Sequence, residues 1–402
     1  MTRWVSAPLG DVCSFINRGV APKYIESGGM LVLNQRCIRD HAISTTVARR
    51  HDVGAKRVPE ERLVRLGDVL VNSTGEGTLG RVALVRTEPQ ESTTVDSHVT
   101  IVRPRPRKFF DDFFGYMLQD IEPVLMKSGV GSGGQTELNR TALAEMFLVR
   151  FPESLAEQQR IVGVLDEALA AIATARADAE QNLHDARELF ASYLRSVFAE
   201  AWRTSRLVTL SDLASDITDG DHMPPPKSRN GVPFVTIGNI VKATGRIDFS
   251  DTFMVPRDYF DALKEGRKPK KGDVLYTVTG WSLGIPVHVD ESVEFCFQRH
   301  IGLVRPKPGI NSMWLYYLLQ SPQVYRQADR GATGAAQRTV SLGLLRSLEV
   351  PSVDSAKQTA VVAVLNTIWS ETERLASVYQ RKLAALDALK QSLLHQAFTG
   401  AL

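Results

Sequence analysis

The feature that most constrains the fold of this chain is an internal repeat, in which the second half of the 402 residues matches the first at an offset of about 200. The matches involve many residue types and keep one order along the chain. They pair Leu9-Gly-Asp11 with Leu210-Ser-Asp212, Gly67-Asp-Val-Leu70 with Gly272-Asp-Val-Leu275, Thr74-Gly75 with Thr279-Gly280, Leu79-Gly80 with Leu283-Gly284, His98 with His300, Val102-Arg-Pro104 with Val304-Arg-Pro306, Gln135 with Gln337, and Gln158 with Gln358. Chance matching of apolar residues would not give this order. The chain is therefore a duplication of one globular domain followed by one helix.

Each globular domain mixes strands and helices. Short β-rich runs at residues 68–72, 82–85 and 99–102 are separated by Gly and Pro, which is typical of a compact sheet with tight turns. Large apolar residues then recur every three or four positions, from Phe110 to Ile121 and again from Trp314 to Leu319, which predicts an amphipathic core helix. The fold class is therefore α+β, with two related α/β domains in a pseudo-two-fold repeat.

A long helix is predicted after each domain, because dense Ala, Leu, Glu, Arg and Gln replace the Gly and Pro punctuation. Ser154-Leu-Ala-Glu157 has the spacing of a capping box at the start of the first helix. Apolar residues recur every seven positions in both helices, which is coiled-coil spacing. These series include Leu165, Ile172 and Tyr193 in the first helix and Leu365, Tyr379 and Leu386 in the second.

Helices of about 45 residues would be roughly 65–70 Å long and would not be stable alone, so they are expected to pair antiparallel and to separate the two domains. Asn182 and Lys382 fall at equivalent positions of these series. They either fix the register of the helix pair or are exposed at a frayed seam.

These patterns predict four segments: a first domain at 1–152, a first spacer helix at 153–204, a second domain at 205–351 and a second spacer helix at 352–402. The 43% hydrophobic content is that of a globular protein. No run of about 18 apolar residues and no signal-peptide pattern occurs, so we expect a cytoplasmic location. Three cysteines, Cys13, Cys37 and Cys296, are too few and too scattered for a disulfide framework or a zinc cluster.

The segments that come nearest to catalytic or nucleotide-binding motifs do not fit them. Gly75-Glu-Gly77-Thr-Leu-Gly80 precedes a predicted strand rather than a helix, so a tight turn is a better interpretation than a dinucleotide site. The Gly129–Gly134 run is followed by Gln135 where a phosphate-binding loop needs lysine. His98 and His300 stand alone on strand patterns and are interpreted as hydrogen-bonded structural histidines. We therefore predict no catalytic residue, no cofactor site and no metal site in this chain.

Double-stranded DNA is the partner that the remaining pattern favours. The net charge of +3 is too small to indicate nucleic-acid binding by itself, so the argument depends on local clusters of basic and amide side chains. Arg and Lys suit phosphates, whereas Gln, Asn, Arg and Thr suit base edges in the major groove. For each loop the alternative is a solvated loop without a ligand. The predicted DNA-contacting residues are Arg18, Lys23, Asn34, Gln35, Arg36, Ser132, Gln135, His222, Lys227, Arg267, Lys268, Lys270, Lys271, Thr333, Gln337 and Arg338.

The duplicated order resembles that of the specificity (S) subunit of type I restriction–modification enzymes, over essentially the whole chain. The segments Leu155-Ala-Glu-Gln-Gln-Arg-Ile161 and Ala356-Lys-Gln-Thr-Ala-Val361 are similar to the family's P-x-x-E-Q-x-x-I motif at the start of each spacer helix. Supporting matches are the two Gly-Asp-Val-Leu segments, Ile217-Thr-Asp-Gly-Asp-His222 and the Gly-rich loops that end at Gln135 and Gln337. The second helix start departs from the pattern, with Lys357 in place of Glu and Ala360 in place of an arginine-like residue.

The resemblance implies a non-catalytic subunit with two target-recognition domains, each reading one part of a split DNA sequence. It also implies two partner modification subunits, which bind S-adenosylmethionine and methylate adenine at N6, and restriction and translocation subunits that can join them. Three alternatives remain open: a DNA methyltransferase in its own right, a DNA-recognition scaffold of another methyltransferase-linked defence system, and a purely structural coiled-coil adaptor. Binding of S-adenosylmethionine, copurification with a methyltransferase and salt-sensitive DNA binding, respectively, distinguish them.

Overall fold

A computed structural model describes residues 3–129, 137–223, 225–242, 244–290, 293–334 and 337–402. The chain divides into two compact units. Unit 1 comprises residues 1–180 and 381–402, and unit 2 comprises residues 181–380. Each unit therefore contains one predicted α/β domain, part of the helix that follows it in the chain and part of the other long helix.

The α/β part of unit 1 consists of short strands and three short or medium helices. Its strands are Trp4–Pro8, Cys13–Arg18, Tyr24–Ile25, Met30–Leu33, Ile38–Arg39, Ala42–Ile43, Arg49–His51, Val69–Asn72, Val82–Leu84, Thr93–Val95, Val99–Pro104 and Leu148–Pro152. Its α-helices are Leu9–Val12, Asp111–Lys127 and Arg140–Glu145, and its 3-10 turns are Gln35–Cys37 and Glu60–Arg62.

The α/β part of unit 2 follows the same plan. Its strands are Leu207–Thr209, Ala214–Asp219, Val232–Val235, Ile240–Val241, Arg246–Ile247, Phe253–Val255, Val274–Thr277, Pro286–His288, Cys296–Phe297, Ile301–Pro306 and Glu349–Pro351. Its helices are Leu210–Leu213, Arg257–Ala262, Ser312–Leu319, Pro322–Gly331 and Leu342–Ser347, with 3-10 turns at Ile237–Asn239, Glu265–Arg267 and Gly280–Ser282.

The main sheet has the same topology in both units. In unit 1, Val69–Asn72 lies between Val99–Pro104 and Val82–Leu84, with all pairings antiparallel and all four of its residues buried. In unit 2, Val274–Thr277 takes the same place and is also buried throughout. Continuous burial explains why these strands are apolar runs rather than alternating ones.

The second sheet differs between the units. It has four strands in unit 1 and three in unit 2, and in both one pairing is parallel. The main sheet is therefore duplicated more faithfully than the second sheet.

The first strand of each domain pairs with the last one, which closes the domain just before its long helix. Trp4–Pro8 pairs antiparallel with Leu148–Pro152, and Leu207–Thr209 with Glu349–Pro351. The chain then enters the long helices Leu155–Thr204 and Ser355–Thr399. The predicted α+β class with two long helices is confirmed.

Half of the predicted capping box is present. The Glu157 N–H donates to Ser154 Oγ at 3.4 Å, but the Glu157 carboxylate pairs with Arg160 at 2.8 Å instead of reaching back. The expectation of a reciprocal bond was therefore wrong. A guanidinium one helical turn away offers the carboxylate a charge-assisted partner, which the backbone N–H does not.

Each core joins a domain to both long helices. In unit 1, Phe113 of the domain meets Phe398 of the second long helix with ring centroids 5.1 Å apart, and Leu165 of the first long helix is buried in the same cluster. In unit 2, Phe190 of the first long helix packs edge-on against Trp369 of the second at 4.9 Å. The prediction that the aromatic residues of the two domain helices belong to the core is confirmed for Phe113 and Trp314, which are 0% and 1% exposed.

The two helices run antiparallel in unit 1, because Arg160 near the start of one contacts the Leu402 carbonyl at 3.0 Å and Arg176, further along, pairs with Asp387. Leu165, Ile172 and Leu365 are buried, and Tyr379 and Leu386 are half-buried. Tyr193 is 36% exposed.

The buried positions drift off the seven-residue series along the first helix. Ala179 is buried, whereas Asn182 and Leu189 are exposed and Phe190 and Leu194 are buried instead. Lys382 in the second helix is exposed as well. A straight helix has 3.6 residues per turn rather than 3.5, so a strict seven-residue series rotates out of the interface. Of the two interpretations left open for Asn182 and Lys382, exposure fits these positions.

Candidate nucleic-acid interface

The two Thr-Gly turns are anchored in the same way in both units and organise the loops around them. In unit 1, the Ser73 N–H donates to the His98 carbonyl at 2.8 Å, and in unit 2 the Val278 N–H donates to the His300 carbonyl at 3.0 Å. Gly75 and Gly280 have φ values of +106° and +74°, which L side chains rarely adopt. The Gly75–Gly80 segment is thus a turn before the strand Val82–Leu84, as predicted.

The segment that follows each Gly-rich loop is attached to this turn. Thr74 bridges to Glu137, and Thr279 to Thr339. The Leu138 N–H donates to the Ser73 carbonyl at 2.9 Å, and Val340 makes the equivalent bond to Val278 at 2.8 Å. The sheet therefore holds the segment after each Gly-rich loop, from Glu137 and from Thr339, at the same place; Ser132 and Gln135 lie outside the described residues.

In unit 1 the structure brings Arg18 and residues 34–36 to this turn. Arg18 ends its strand and pairs with Glu137 at 2.6 Å, and Thr74 Oγ1 is 2.7 Å from His98 Nδ1. His98 is hydrogen-bonded as predicted, and it also lines a cavity together with Asn34, Gln35 and Arg36. Lys23 is exposed in the adjoining loop.

In unit 2, Gln337 and Arg338 lie at the equivalent turn, just before Thr339, which forms a β-bridge with Thr333. A Cβ atom on Gly280 would lie 3.2 Å from Gln337 Nε2, so the glutamine lies directly against the turn. Arg338 is paired with Asp329 at 2.7 Å. Burial lowers the pKa of His300, which favours the neutral imidazole.

The other residues predicted in unit 2 do not form one cluster. His222 and Arg267 both lie near Asp219, at 2.7 and 3.8 Å, and Arg267 also lies 3.2 Å from Asp221. Lys227 lies beside the second sheet, with its amino group 5.1 Å from the Phe253 ring centroid.

The three lysines after Arg267 are partly neutralised within the domain. Lys268 and Lys270 both contact Glu265, at 3.3 and 3.2 Å. Among the described residues, no carboxylate lies within 4 Å of the Lys271 amino group. Lys270 and Lys271 precede the strand Val274–Thr277, whereas the turn at Thr279 follows it. These lysines therefore lie at the opposite end of that strand from the turn.

The repeated sequence motifs are explained by buried contacts of the scaffold. Arg103 of Val-Arg-Pro makes two 2.7 Å bonds to Asp68 of Gly-Asp-Val-Leu, and Arg305 repeats this with Asp273 at 2.9 and 2.8 Å. Burial raises the pKa of Asp68, although Arg103 acts to lower it. These residues hold the sheet and its neighbouring turn together and are not available to a ligand.

The glutamine at the start of each long helix joins that helix to its domain. Gln158 accepts the Phe110 N–H at 2.9 Å and donates to the Pro152 carbonyl at 2.9 Å. Gln358 accepts the Asn311 N–H at 2.8 Å and donates to the Val353 carbonyl at 2.7 Å. Both side chains are buried and fully used, so the Gln of the P-x-x-E-Q-x-x-I motif orients the domain on the helix.

Sequence reasoning missed three residues that line the unit 1 cavity: Tyr24, Arg49 and Asp96. The Arg49 guanidinium lies 3.3 Å from the centre of the Tyr24 ring. The repeat gave no signal for Asp96, because it places Gln298 rather than a carboxylate at the equivalent position, where both backbone N–H groups donate to the equivalent strand, to the carbonyls of Leu33 and Val235.

The described residues contain neither a metal-ion cluster nor a membrane-spanning helix. No group of three or more His, Cys, Asp or Glu side chains there could hold a metal ion. Within that same part of the chain, no helix is long and apolar enough to cross a membrane.

Comparisons with known proteins agree with the resemblance that the sequence predicts. No protein-family model matches the chain. The specificity subunit of the type I restriction enzyme EcoBI from Escherichia coli is 22% identical over 235 residues, covering 58% of this chain and 49% of that protein. The chain thus matches about half the length of this curated relative.

Two solved structures share the fold. One comes from work on complex assembly and conformational transition of the type I R-M system, with a TM-score of 0.78, 19% identity and full coverage of both chains. The other is the HsdS subunit from Thermoanaerobacter tengcongensis, with a TM-score of 0.57, 19% identity, and 99% and 97% of the two chains covered. The predicted likeness to type I specificity subunits is confirmed.

Proposed function

We propose that this chain is the specificity subunit of a type I restriction–modification complex and reads a bipartite DNA target, one domain for each half. The observation that carries the proposal is the repeated Thr-Gly turn, which gathers amide and basic side chains at the same place on two copies of one scaffold. Loops held by a rigid sheet are the usual location of binding residues.

Divergence at this surface supports two different half-sites. The scaffold pairs Asp68–Arg103 and Asp273–Arg305 are alike in both units. The 3-10 turns beside the cavity differ completely, with Gln-Arg-Cys in Gln35–Cys37 and Ile-Gly-Asn in Ile237–Asn239. Different side chains at equivalent positions would read different bases.

The proposed partners are double-stranded DNA and two modification subunits, with restriction and translocation subunits joining in some assemblies. Exposed apolar residues at repeat-equivalent positions of the long helices support a partner present twice. Val164 and Val364 are 39% and 44% exposed, and Leu189 and Leu389 are 56% and 47% exposed. S-adenosylmethionine would bind to the modification subunit, and this chain would supply no catalytic group.

Exchange of one domain tests the proposal. We propose domain borders at 152 and 351, and replacing residues 1–152 by the first domain of another specificity subunit should change one half of the target only. Each domain has its own core and its own closing strand pair, so the other half should be read as before. Sequencing of adenine methylation in cells that carry the wild-type chain, the chimera or neither gives the targets.

The matched control exchanges residues 205–351 instead, which should change the other half-site. If either chimera alters both halves, the domains do not read independently. If the chain neither copurifies with a methyltransferase nor changes the methylation pattern, the proposed function is wrong.

A second prediction concerns the basic residues near 270. Converting Lys270 and Lys271 to Gln should weaken binding to all DNA sequences alike, and the slope of log K against log salt should become shallower by about 2, since each phosphate contact contributes about 0.9. Arg267 is left intact because two carboxylates hold it and its side chain is only 28% exposed, whereas the Lys270 side chain is 59% exposed despite its contact with Glu265. DNA binding is measured by fluorescence anisotropy between about 50 and 200 mM salt.

The control for this prediction converts Lys357 and Lys382, both exposed on the second long helix, to Gln. It changes the net charge equally and should leave the slope as it was. An unchanged slope in the Lys270/Lys271 variant would remove these residues from the interface.

A further inference from the structure

The cavity beside residues 34–36 in unit 1 has a volume of about 370 Å³, and most of the residues that line it carry polar side chains. Its wall is made of Tyr24, Asn34, Gln35, Arg36, Val47, Arg49, Asp96 and His98. It lies at the Thr-Gly turn, because His98 bonds to Thr74 and a Cβ on Gly75 would lie 2.6 Å from Gln35 Oε1. A ligand in this cavity would therefore contact the loops that the sequence predicts to face DNA.

Asp96 is a buried carboxylate without a cation. It is 3% exposed, and its Oδ1 accepts the His98 N–H at 2.9 Å. Among the described residues, no Lys, Arg or His side chain lies within salt-bridge distance of it. Burial raises the pKa of this carboxyl group. An unpaired buried carboxylate is costly, and a ligand that donates hydrogen bonds to it would recover part of that cost.

Gln35 provides a second acceptor in the same wall. Its Oε1 atom is buried and has no hydrogen-bond partner in the structure. The amide of Asn34 is fully used, since it donates to the Val47 carbonyl at 2.9 Å and accepts the Arg36 N–H at 2.8 Å. Arg49 is stacked on the Tyr24 ring. Among the described residues that line the cavity, the buried carboxylate and the buried amide oxygen are therefore acceptors without a strong donor, whereas the Arg36 side chain is exposed.

In the major groove, the base-edge donors are the exocyclic amino groups, N6 of adenine and N4 of cytosine. We propose that this cavity reads the exocyclic amino group of one adenine or cytosine in the first half-site, with Asp96 and Gln35 as acceptors for the one amino hydrogen that base pairing leaves free in the major groove. The inference rests on the proposed function and names the chemical group that the first domain recognises.

The second domain lacks this acceptor pair. Gln298, half-buried, stands at the position of Asp96, and Ile237 stands at that of Gln35. A glutamine amide both donates and accepts, so it suits other base edges, and isoleucine offers no hydrogen bond at all. The same position of the scaffold therefore sets different preferences in the two half-sites.

The test uses the full chain assembled with its modification subunits and a DNA library in which both half-sites are randomised. Asp96→Asn keeps an oxygen for the His98 N–H but removes the charge and one acceptor, so the variant should fold at least as well as the wild type. We expect its preference for the amino-bearing base to fall by about 10- to 100-fold at one position of the first half-site, with the second half-site unchanged. Gln298→Glu is the matched variant, and it should alter the second half-site only.

Base analogues provide an independent measurement on the wild-type protein. Purine in place of adenine, or 2-pyrimidinone in place of cytosine, removes the amino group. At the position that the cavity reads, this substitution should reduce binding by a similar factor. The analogue that reduces binding identifies the base. Two results would overturn the inference: Asp96→Asn binds with the base preferences of the wild type, or it weakens binding equally at every sequence. If the assembled wild type had no sequence preference, the proposed function would fail first and this inference with it.

Discussion

Arg103→Met is expected to destabilise unit 1 by about 3–5 kcal/mol, because it leaves a buried carboxylate without its cation. Asp68 is 0% exposed, and Arg103 makes two 2.7 Å bonds to it and another to the Leu63 carbonyl. The methionine side chain would keep most of the packing, so the loss of stability measures the effect of removing the positive charge. Urea unfolding followed by circular dichroism measures it, and Arg305→Met should have a similar effect in unit 2.

The pH dependence of this variant gives a sharper result. Burial already raises the pKa of Asp68, and removing Arg103 removes the main cause that lowers it, so the pKa rises further. A carboxyl group whose folded pKa is raised costs no stability below its unfolded pKa, and the cost grows as the pH rises from the unfolded pKa to the folded one. The stability deficit of Arg103→Met should therefore shrink as the pH falls from about 8 towards 4.

Arg105→Met is the control, because this arginine is exposed and only two residues away. It should change the free energy of unfolding by less than about 0.5 kcal/mol at any pH. A deficit in Arg103→Met that stays constant with pH would mean that lost packing, rather than the unpaired carboxylate, causes the destabilisation.

The sequence predicts the scaffold of this protein better than its surface. Duplicated motifs, strand runs and long helices could be recognised because they depend on local periodicity. The pairing of Asp68 with Arg103 could not be predicted, because it depends on the strand register that places Val69 opposite Val102. The motifs were visible, but their structural role required the sheet.

The candidate interface shows the same limit. Counting positive charges predicted a basic cluster at residues 267–271, whereas Asp219 and Asp221, far away in sequence, neutralise Arg267 in the fold. Asp96 was missed for the converse reason: a lone carboxylate has no pattern in sequence, and only its burial beside Gln35 makes it notable.

The second large effect is expected on the gap between the half-sites. The first long helix continues without a break from unit 1 into unit 2 at residues 180/181. The second continues without a break from unit 2 into unit 1 at residues 380/381. Adding four residues to each helix at these two points lengthens both by about 6 Å. Since DNA rises 3.4 Å per base pair, we expect targets whose gap is longer by one or two base pairs.

Both helices must be extended together, because a four-residue insertion in one alone would shift its contacts with the other. In unit 1 Arg176 pairs with Asp387, and in unit 2 Phe190 packs on Trp369, so the insertion points lie between contacts that should survive on both sides. Four residues add about 400° of helix rotation, so one unit also turns by about 40°, close to the tenth of a turn that one base pair adds to DNA.

The control replaces residues 181–184 and 381–384 by the inserted sequence without lengthening the helices, and it should keep the original gap. Adenine methylation in cells reports the gap and both half-sites for each variant. A folded, active insertion variant that still methylated targets with the original gap would show that the helices do not set the spacing. The distance would then have to be fixed by the modification subunits, which would hold the two domains at a separation independent of helix length.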